Sequence, residues 1–361
     1  MEIGILGLPK AGKTTLFNTL TASRRETGKF SASAETHVAV ATVPDDRLAR
    51  LRDLYRPRRY VPATVQYVDV PGLRRREGVR GEGAESLDLT RLRTAAALMH
   101  VVRAFEDPEI PHPEGSVDPA RDVATADLEL ILADHDLVER RLGKLEQATK
   151  RGLTPDEQRE RRLLDETVRP ALEAERPLRT LELDPDDERR LRGFQLLSAK
   201  PMLIVINAGE AAVAGASPES FGVTPGEGVR AIVVSAPIEE EISRLEPDEQ
   251  REFLADLGLA EPSLDRVIRA SYELLGLISF FTVGEDEVRA WTVRRGTPAR
   301  AAAGAVHSDI ERGFIRAEVV RWDDLLRLGS LPACREQALL RLEGKDYPVA
   351  DGDVVHFRFN V

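Results

Sequence analysis

The chain is poor in cysteine and in long apolar runs. Its 361 residues include one cysteine, Cys334, so an internal disulfide is impossible, as is typical of proteins from a reducing compartment. No apolar stretch reaches the ~18 residues that a membrane span needs, and the N-terminus lacks a basic start followed by a cleavage site. We therefore expect a cytoplasmic protein with no membrane partner.

An excess of positive charge is also missing. The formal net charge is -11, with 51 Lys and Arg against 62 Asp and Glu, which argues against a general basic nucleic-acid binder. We expect no specific DNA binding, and an RNA-binding protein with an incidental nucleotide site is the least favoured alternative. Aromatic residues make up only 5%, so the core must consist mainly of aliphatic side chains. The length allows two or three domains.

One motif organises the rest of the chain. Residues 7–14, GLPKAGKT, follow a short apolar run and precede an amphipathic segment, which is the strand, glycine loop and helix order of a phosphate-binding loop. Loop N–H groups and the helix start attract anions, Lys13 adds a positive charge, and the Thr14 hydroxyl suits Mg2+. The residues predicted to bind nucleotide here are Pro9, Lys10, Ala11, Gly12, Lys13, Thr14 and Thr15.

A second phosphate-linked motif follows the run 64–68. Asp69 comes at the carboxyl end of this predicted strand, and Gly72 follows it in a turn. An acid placed there holds Mg2+ through water, while the Gly72 N–H faces a terminal phosphate. Asp69 and Thr14 are therefore the predicted metal residues.

Two later apolar strands, 201–206 and 229–234, end near a predicted base pocket. Asn207 and Glu210 follow the first strand, and Ser235 and Ala236 follow the second. In a doubly wound sheet both strand ends lie beside the phosphate loop. These side-chain types leave the choice between guanine and adenine open.

The segment 122–198 has a different character. Its apolar residues recur at helical spacing and predict two long helices in an antiparallel hairpin inserted into the nucleotide domain. A purely structural arm and a partner-binding arm remain equally open. The first predicted apolar stripe consists of Leu128, Ile131, Leu132, Val138, Leu142 and Leu145.

Residues 277–361 predict a small α+β domain. A strand over 288–293, a helix over 299–307 and a final strand after Gly352 suit a sheet that packs on one helix. No acid, base and nucleophile cluster there, so we expect an interaction module.

Together these motifs resemble the Obg-like ATPase subfamily (YchF type) of translation-factor-class P-loop GTPases. The resemblance implies an α/β fold: a P-loop NTPase domain with a doubly wound, mainly parallel sheet (1–121 and 199–276), an inserted α-helical coiled-coil arm (122–198) and a C-terminal β-grasp (TGS) domain (277–361). It also implies the ribosome as partner. The most specific segments are Glu287–Thr292, His307, Gly313–Glu318 and Glu343–Tyr347.

The resemblance also implies residue roles. Ala208 and Glu210 replace the lysine and aspartate with which most GTPases read guanine, a change associated with ATP binding. Leu73 stands where many GTPases have the glutamine that orients water, and the subfamily gives that task to a histidine that matches His112. The implied catalytic residues are His112, Lys13 and Gly72.

Two of the departures from the family pattern bear on the bound ions. Lys10 replaces the asparagine that helps to hold potassium in related proteins, so we hypothesise weaker potassium dependence. The first switch is the loop that in the family offers a threonine to Mg2+. It is altered around residues 30–36, and Ser33, Thr36 or neither of them reaches Mg2+ there.

Two functions remain open at this stage. The first is a slow molecular switch that hydrolyses ATP or GTP with Mg2+ and engages the ribosome. The alternative is a nucleotide-binding scaffold with negligible hydrolysis, which the altered first switch and Leu73 favour.

Overall fold

A computed structural model describes residues 1–22, 37–69, 87–213 and 215–360. The chain forms two compact units, Met1–Val40 with Gln66–Val267 and Ala41–Val65 with Ile268–Val361. The described ranges contain twelve strands: β1 (Glu2–Leu6), β2 (His37–Thr42), β3 (Arg59–Val61), β4 (Thr64–Asp69), β5 (Ala97–Ala104), β6 (Met202–Ala208), β7 (Val229–Val234), β8 (Leu277–Thr282), β9 (Glu287–Arg294), β10 (Phe314–Arg321), β11 (Arg341–Glu343) and β12 (Asp353–Phe359).

Fourteen α-helices connect these strands within the described ranges. They are α1 (Lys13–Ala22), α2 (Asp46–Tyr55), α3 (Leu87–Thr94), α4 (Pro119–Ala148), α5 (Pro155–Leu163), α6 (Arg169–Glu173), α7 (Pro185–Arg192), α8 (Ala236–Ile242), α9 (Pro247–Asp256), α10 (Ser263–Leu274), α11 (Ala299–Val306), α12 (Ser308–Arg312), α13 (Trp322–Leu328) and α14 (Leu331–Glu336).

The first unit is built on a six-stranded sheet with the order β2-β4-β1-β5-β6-β7. Strand β1 pairs in parallel with β4 and β5, and β5, β6 and β7 continue the parallel series. Ile5 lies opposite Asp69 in this register, so the phosphate loop after β1 and the predicted metal residue share one edge of the sheet. The predicted doubly wound parallel sheet is confirmed.

The segment after β5 forms a helical arm with its own apolar cluster. Helix α4 runs for 30 residues, and its first turn is capped by Asp118, which accepts the Arg121 N–H over 3.0 Å. Helices α5 and α6 return along it, joined by a π-helical turn at Leu164–Val168 that ends two residues before Pro170. A proline removes one helical hydrogen bond, which accounts for the irregular turn at this point.

The predicted apolar stripe of α4 is wrong at two positions. Leu128 and Leu132 are 36% and 51% exposed, whereas Leu130 and Ile131 are buried. Around these positions the buried side of α4 carries Ala126, Leu130, Ile131 and Asp134. Residues four apart share a helix face, so Leu128 and Leu132 turn outward together.

The second unit contains a mixed sheet with the order β11-β10-β12-β8-β9-β3. Helix α11 packs its alanines, Ala299, Ala302 and Ala303, into the apolar cluster of this sheet, the arrangement that the sequence predicts for residues 277–361. The edge strand β3 comes from residues 59–61 and pairs in parallel with β9.

The segment 41–65 differs from the predicted domain division. The sequence predicts it as part of the nucleotide domain (1–121), whereas the structure has it in the second unit. Arg47 of α2 donates to Asp351 over 2.7 Å and also to Asp45. Such a pairing depends on residues far apart in the chain, so local sequence patterns do not reveal it. The predicted boundaries at 122, 199 and 277 stay a prediction.

Candidate nucleotide-binding site

The loop between β1 and α1 has a backbone that depends on glycine. Gly7 and Gly12 have φ angles of 149° and 94°, and Lys10 has a φ of 65°. A Cβ at Gly12 would lie 2.3 Å from Nδ2 of Asn207, and one at Gly7 would lie 2.3 Å from the carbonyl oxygen of Val101. Only glycine fits these two positions, which explains the spacing of the motif.

Lys13 is the first residue of α1, and its side chain reaches back into this loop. Its Nζ donates to the carbonyl oxygens of Gly7 at 3.0 Å and Leu8 at 2.8 Å, and the residue is 9% exposed. Burial lowers the pKa of Lys13, and the nearby Asp69 carboxylate opposes that shift. The lysine is therefore held at the inner side of the loop.

Three further predicted residues lie at the same edge of the sheet. Thr14 is exposed and Thr15 half-buried in the first turn of α1, and Asp69 ends β4 half-buried. Within the described ranges no group of three or more His, Cys, Asp or Glu residues could hold a metal ion. The donors present fit Mg2+, which takes few protein ligands and completes its shell with water and phosphate oxygens.

Asn207 connects the loop to the neighbouring strand end. Its Nδ2 donates to the Ala11 carbonyl oxygen over 3.1 Å, and its Oδ1 accepts the N–H of Ala236 over 3.0 Å. Its side chain thus supports the loop, a role that the sequence analysis missed because 196 residues separate Asn207 from Ala11. A contact between Asn207 and a base stays a prediction.

The remaining predicted base-pocket residues follow the carboxyl ends of β6 and β7. Glu210 is exposed and begins a short 3-10 turn, Glu210–Ala212. Ser235 is 1% exposed, and its Oγ has no hydrogen-bond partner within the described residues. A buried hydroxyl of this kind is suited to receive a ligand group or a water.

Within the described part of the chain, no hydrogen bond or ion pair joins His112 to the phosphate loop. Its Nε2 lies 3.0 Å from Oδ2 of Asp122, and its side chain is 3% exposed. Gly72, Ser33 and Thr36 lie outside the described residues. Their predicted roles stay predictions.

Two further residues were not predicted. His100 of β5 is fully buried, and neither ring nitrogen has a hydrogen-bond partner within the described residues. Burial, followed by the charges of Lys13 and Arg179, lowers the pKa of His100 to about 3. Arg103 donates to the carbonyl oxygens of Phe105 and Ile110, at 2.9 and 2.8 Å, and fixes the start of the loop that carries His112. For both His100 and Arg103, the signal available in the sequence was a polar residue inside an otherwise apolar strand.

A parallel sheet, a glycine loop around a buried lysine and a helix that starts at that lysine define the class: this is a P-loop nucleoside triphosphatase of the GTPase fold. A family model described as "50S ribosome-binding GTPase" matches residues 2–139. The model YchF-GTPase_C, described as "Protein of unknown function (DUF933)", matches residues 277–360.

Full-length relatives give the narrower assignment. The chain is 43% identical to the ribosome-binding ATPase YchF of Bacillus subtilis, with 100% of both chains covered. It is 36% identical to Obg-like ATPase 1 of Oryza sativa subsp. japonica, covering 100% of this chain and 92% of that one. The solved YchF GTPase of Schizosaccharomyces pombe matches with a TM-score of 0.86 and 32% identity over 99% of this chain and 97% of that one. The chain belongs to the YchF family of Obg-like ATPases.

Across the residues described, every helix is too short or too polar to serve as a membrane span.

Proposed function

We propose that this protein hydrolyses the β-γ phosphoanhydride bond of ATP or GTP and acts as a slow molecular switch on the ribosome, in the cytoplasm. The observation that carries the proposal is the buried Lys13 inside a loop that only glycine can form at Gly7 and Gly12. Ribosome binding rests on the similarity along the whole chain to the Bacillus subtilis ribosome-binding ATPase.

The proposed chemistry is mostly positioning and charge stabilisation. Lys13 and the loop N–H groups bind the phosphates, and Gly72 contacts the terminal phosphate through its N–H. Thr14 and Asp69 would hold Mg2+, which neutralises charge that develops on the phosphate oxygens when it is bound. His112 orients the attacking water.

We propose that ATP binds at least as well as GTP, because Ala208 and Glu210 replace the pair that normally reads guanine. A titration of both nucleotides in matched Mg2+ and potassium tests this point. GTP binding about tenfold tighter than ATP, equal to about 1.4 kcal/mol, would contradict it.

Phosphate release at saturating ATP and Mg2+ tests the main proposal. The wild-type protein should release phosphate faster than Lys13→Ala, while Asn18→Ala, an exposed change on the same helix α1, keeps the wild-type rate. If the wild-type protein binds nucleotide but releases phosphate no faster than Lys13→Ala, the scaffold with negligible hydrolysis is the function that remains. One observation favours that alternative: Nε2 of His112 contacts the Asp122 carboxylate and so cannot orient a water molecule in this arrangement.

Co-sedimentation with purified ribosomes tests the proposed partner. We expect the protein to pellet with ribosomes in a nucleotide-dependent manner. If the same amount of protein pellets with and without ribosomes, the ribosome is not its partner. A difference between ATP and a non-hydrolysable analogue in the amount of protein that pellets with ribosomes would further support a switch.

A further inference from the structure

His112 is enclosed by hydrogen bonds at both ring nitrogens. Nδ1 accepts the backbone N–H of Glu114 over 3.2 Å, and Nε2 lies 3.0 Å from Oδ2 of Asp122. Since Nδ1 is an acceptor, the ring hydrogen is on Nε2 and is donated to the carboxylate. The side chain is 3% exposed, so neither ring nitrogen can orient a water molecule in this arrangement.

Asp122 is itself fixed. It is 2% exposed, and its Oδ1 accepts from Nε and Nη2 of Arg121 at 3.1 and 2.8 Å. Arg121 also donates to the carbonyl oxygen and the hydroxyl of Ser116, at 2.7 and 3.0 Å. The His112 loop is therefore tied to one carboxylate and one guanidinium that are adjacent in the chain.

Both of these residues belong to the first turn of α4. This helix continues for 30 residues, about 45 Å, and its distant half forms the apolar cluster of the arm through Val138 and Leu145. A continuous helix moves as one body, so a shift of the arm also shifts the carboxylate that holds His112.

We propose that Asp122 is a positioning residue that keeps His112 withdrawn from the hydrolytic reaction, and that α4 thereby couples the arm to hydrolysis. This inference rests on the proposed function, because it assumes that His112 orients water once it is released. Loss of Asp122 then frees the ring, whereas loss of His112 removes the group itself.

The first test measures the release of His112 directly. In the intact protein, the rate at which diethyl pyrocarbonate modifies His112 is followed by mass spectrometry of its peptide. Asp122→Ala removes a hydrogen bond to a charged group, so we expect the rate to rise at least about tenfold. Asp136→Ala removes an exposed carboxylate from the same helix and should keep the wild-type rate. An unchanged rate in Asp122→Ala overturns the proposal.

A milder variant keeps the test valid if Asp122→Ala does not fold. Asp122→Asn keeps the size and one acceptor oxygen but removes the charge, and we expect the modification rate to rise about fivefold. A rate equal to that of the wild type would again overturn the proposal.

The second test is phosphate release. We expect Asp122→Ala to release phosphate faster than the wild type, and the double variant with His112→Ala to stay at the level of His112→Ala alone. Any stimulation by ribosomes should be smaller in Asp122→Ala. Slower release despite faster modification would overturn the proposal, since Asp122 would then orient His112 for the reaction. Undiminished stimulation would overturn the coupling through α4.

A failure of the proposed function gives a different result. In that case the wild-type protein, Asp122→Ala and Lys13→Ala all release phosphate at equal rates, even though Asp122→Ala speeds the modification of His112.

Discussion

The Oδ1 atom of Asn207 accepts the N–H of Ala236 over 3.0 Å while its Nδ2 donates to Ala11 over 3.1 Å, so one buried amide joins the phosphate loop to the start of α8. Asn207→Ala leaves two buried backbone groups without their partner. We expect the free energy of unfolding to fall by about 1–3 kcal/mol, measured by urea denaturation, with weaker nucleotide binding. Asn18→Ala, on the exposed side of α1, should change stability by less than about 0.5 kcal/mol.

Gly12 should not tolerate a side chain. Its φ is 94°, and an added Cβ would lie 2.3 Å from Asn207 Nδ2, so Gly12→Ala must displace the loop or the amide. We expect nucleotide affinity to fall at least about tenfold in a calorimetric titration. Gly143→Ala provides the matched control, because nothing lies within 4 Å of its added Cβ inside α4. That change should raise stability by about 0.5–1 kcal/mol, and a loss of nucleotide binding in Gly143→Ala would contradict this account.

Asp134 should be essential to the base of the arm. It is fully buried and accepts from Arg93 at 3.0 Å, from the N–H groups of Leu197 at 2.9 Å and Ser198 at 2.7 Å, and from the Ser198 hydroxyl. Asp134→Ala leaves the Arg93 charge without this partner. We expect the free energy of unfolding, measured by urea denaturation, to fall by about 3–5 kcal/mol. Asp136→Ala, exposed on the same helix, should be nearly neutral; equal losses in the two variants would refute the prediction.

His100 should make the protein sensitive to acid. Its pKa is lowered from 6.5 to about 3, so below pH 6.5 the unfolded chain binds a proton that the folded chain does not. The free energy of unfolding therefore falls as the pH drops through this window, by about 3 kcal/mol between pH 6.5 and 4 from this group. In His100→Leu that part of the loss should disappear, as followed by denaturation at both pH values. The exposed control His356→Gln should keep the wild-type loss.

Lys10 should reduce the dependence of hydrolysis on potassium. It is exposed with a φ of 65°, a conformation that asparagine adopts readily, so Lys10→Asn should fold without added strain. We expect potassium, compared with sodium at equal ionic strength, to stimulate phosphate release more in Lys10→Asn than in the wild type. Equal stimulation of both proteins would show that the lysine does not take over the role of the cation.

Local patterns were sufficient for the phosphate loop. The glycine spacing, the apolar strand before Gly7 and the helix after Lys13 depend on hydrogen bonds and sterics within a few residues, and the structure has β1, the loop and α1 in that order. The parallel sheet followed from the same kind of signal, because apolar strands alternate with helices along the chain.

Side-chain direction was harder to predict. Leu128 and Leu132 have helical spacing, yet they are exposed, because several faces of α4 carry leucine and only packing selects one. Ala126 and Leu130 pack into the core of the parallel sheet, and the later part of α4 packs against α6. His112 was recognised as a candidate by resemblance, but its bond to Asp122 was not foreseen.

The sequence by itself determined the elements that depend on neighbouring residues: the strand, loop and helix around Lys13 and the closing α+β unit. Only the tertiary structure decided the long-range contacts, including that of the Asn207 amide with the Ala11 carbonyl oxygen across 196 residues and that of Arg47 with Asp351 across 304. The reason is physical. Turns and helices are fixed by bonds between residues a few positions apart, whereas these pairings form only after the sheets and helices have packed.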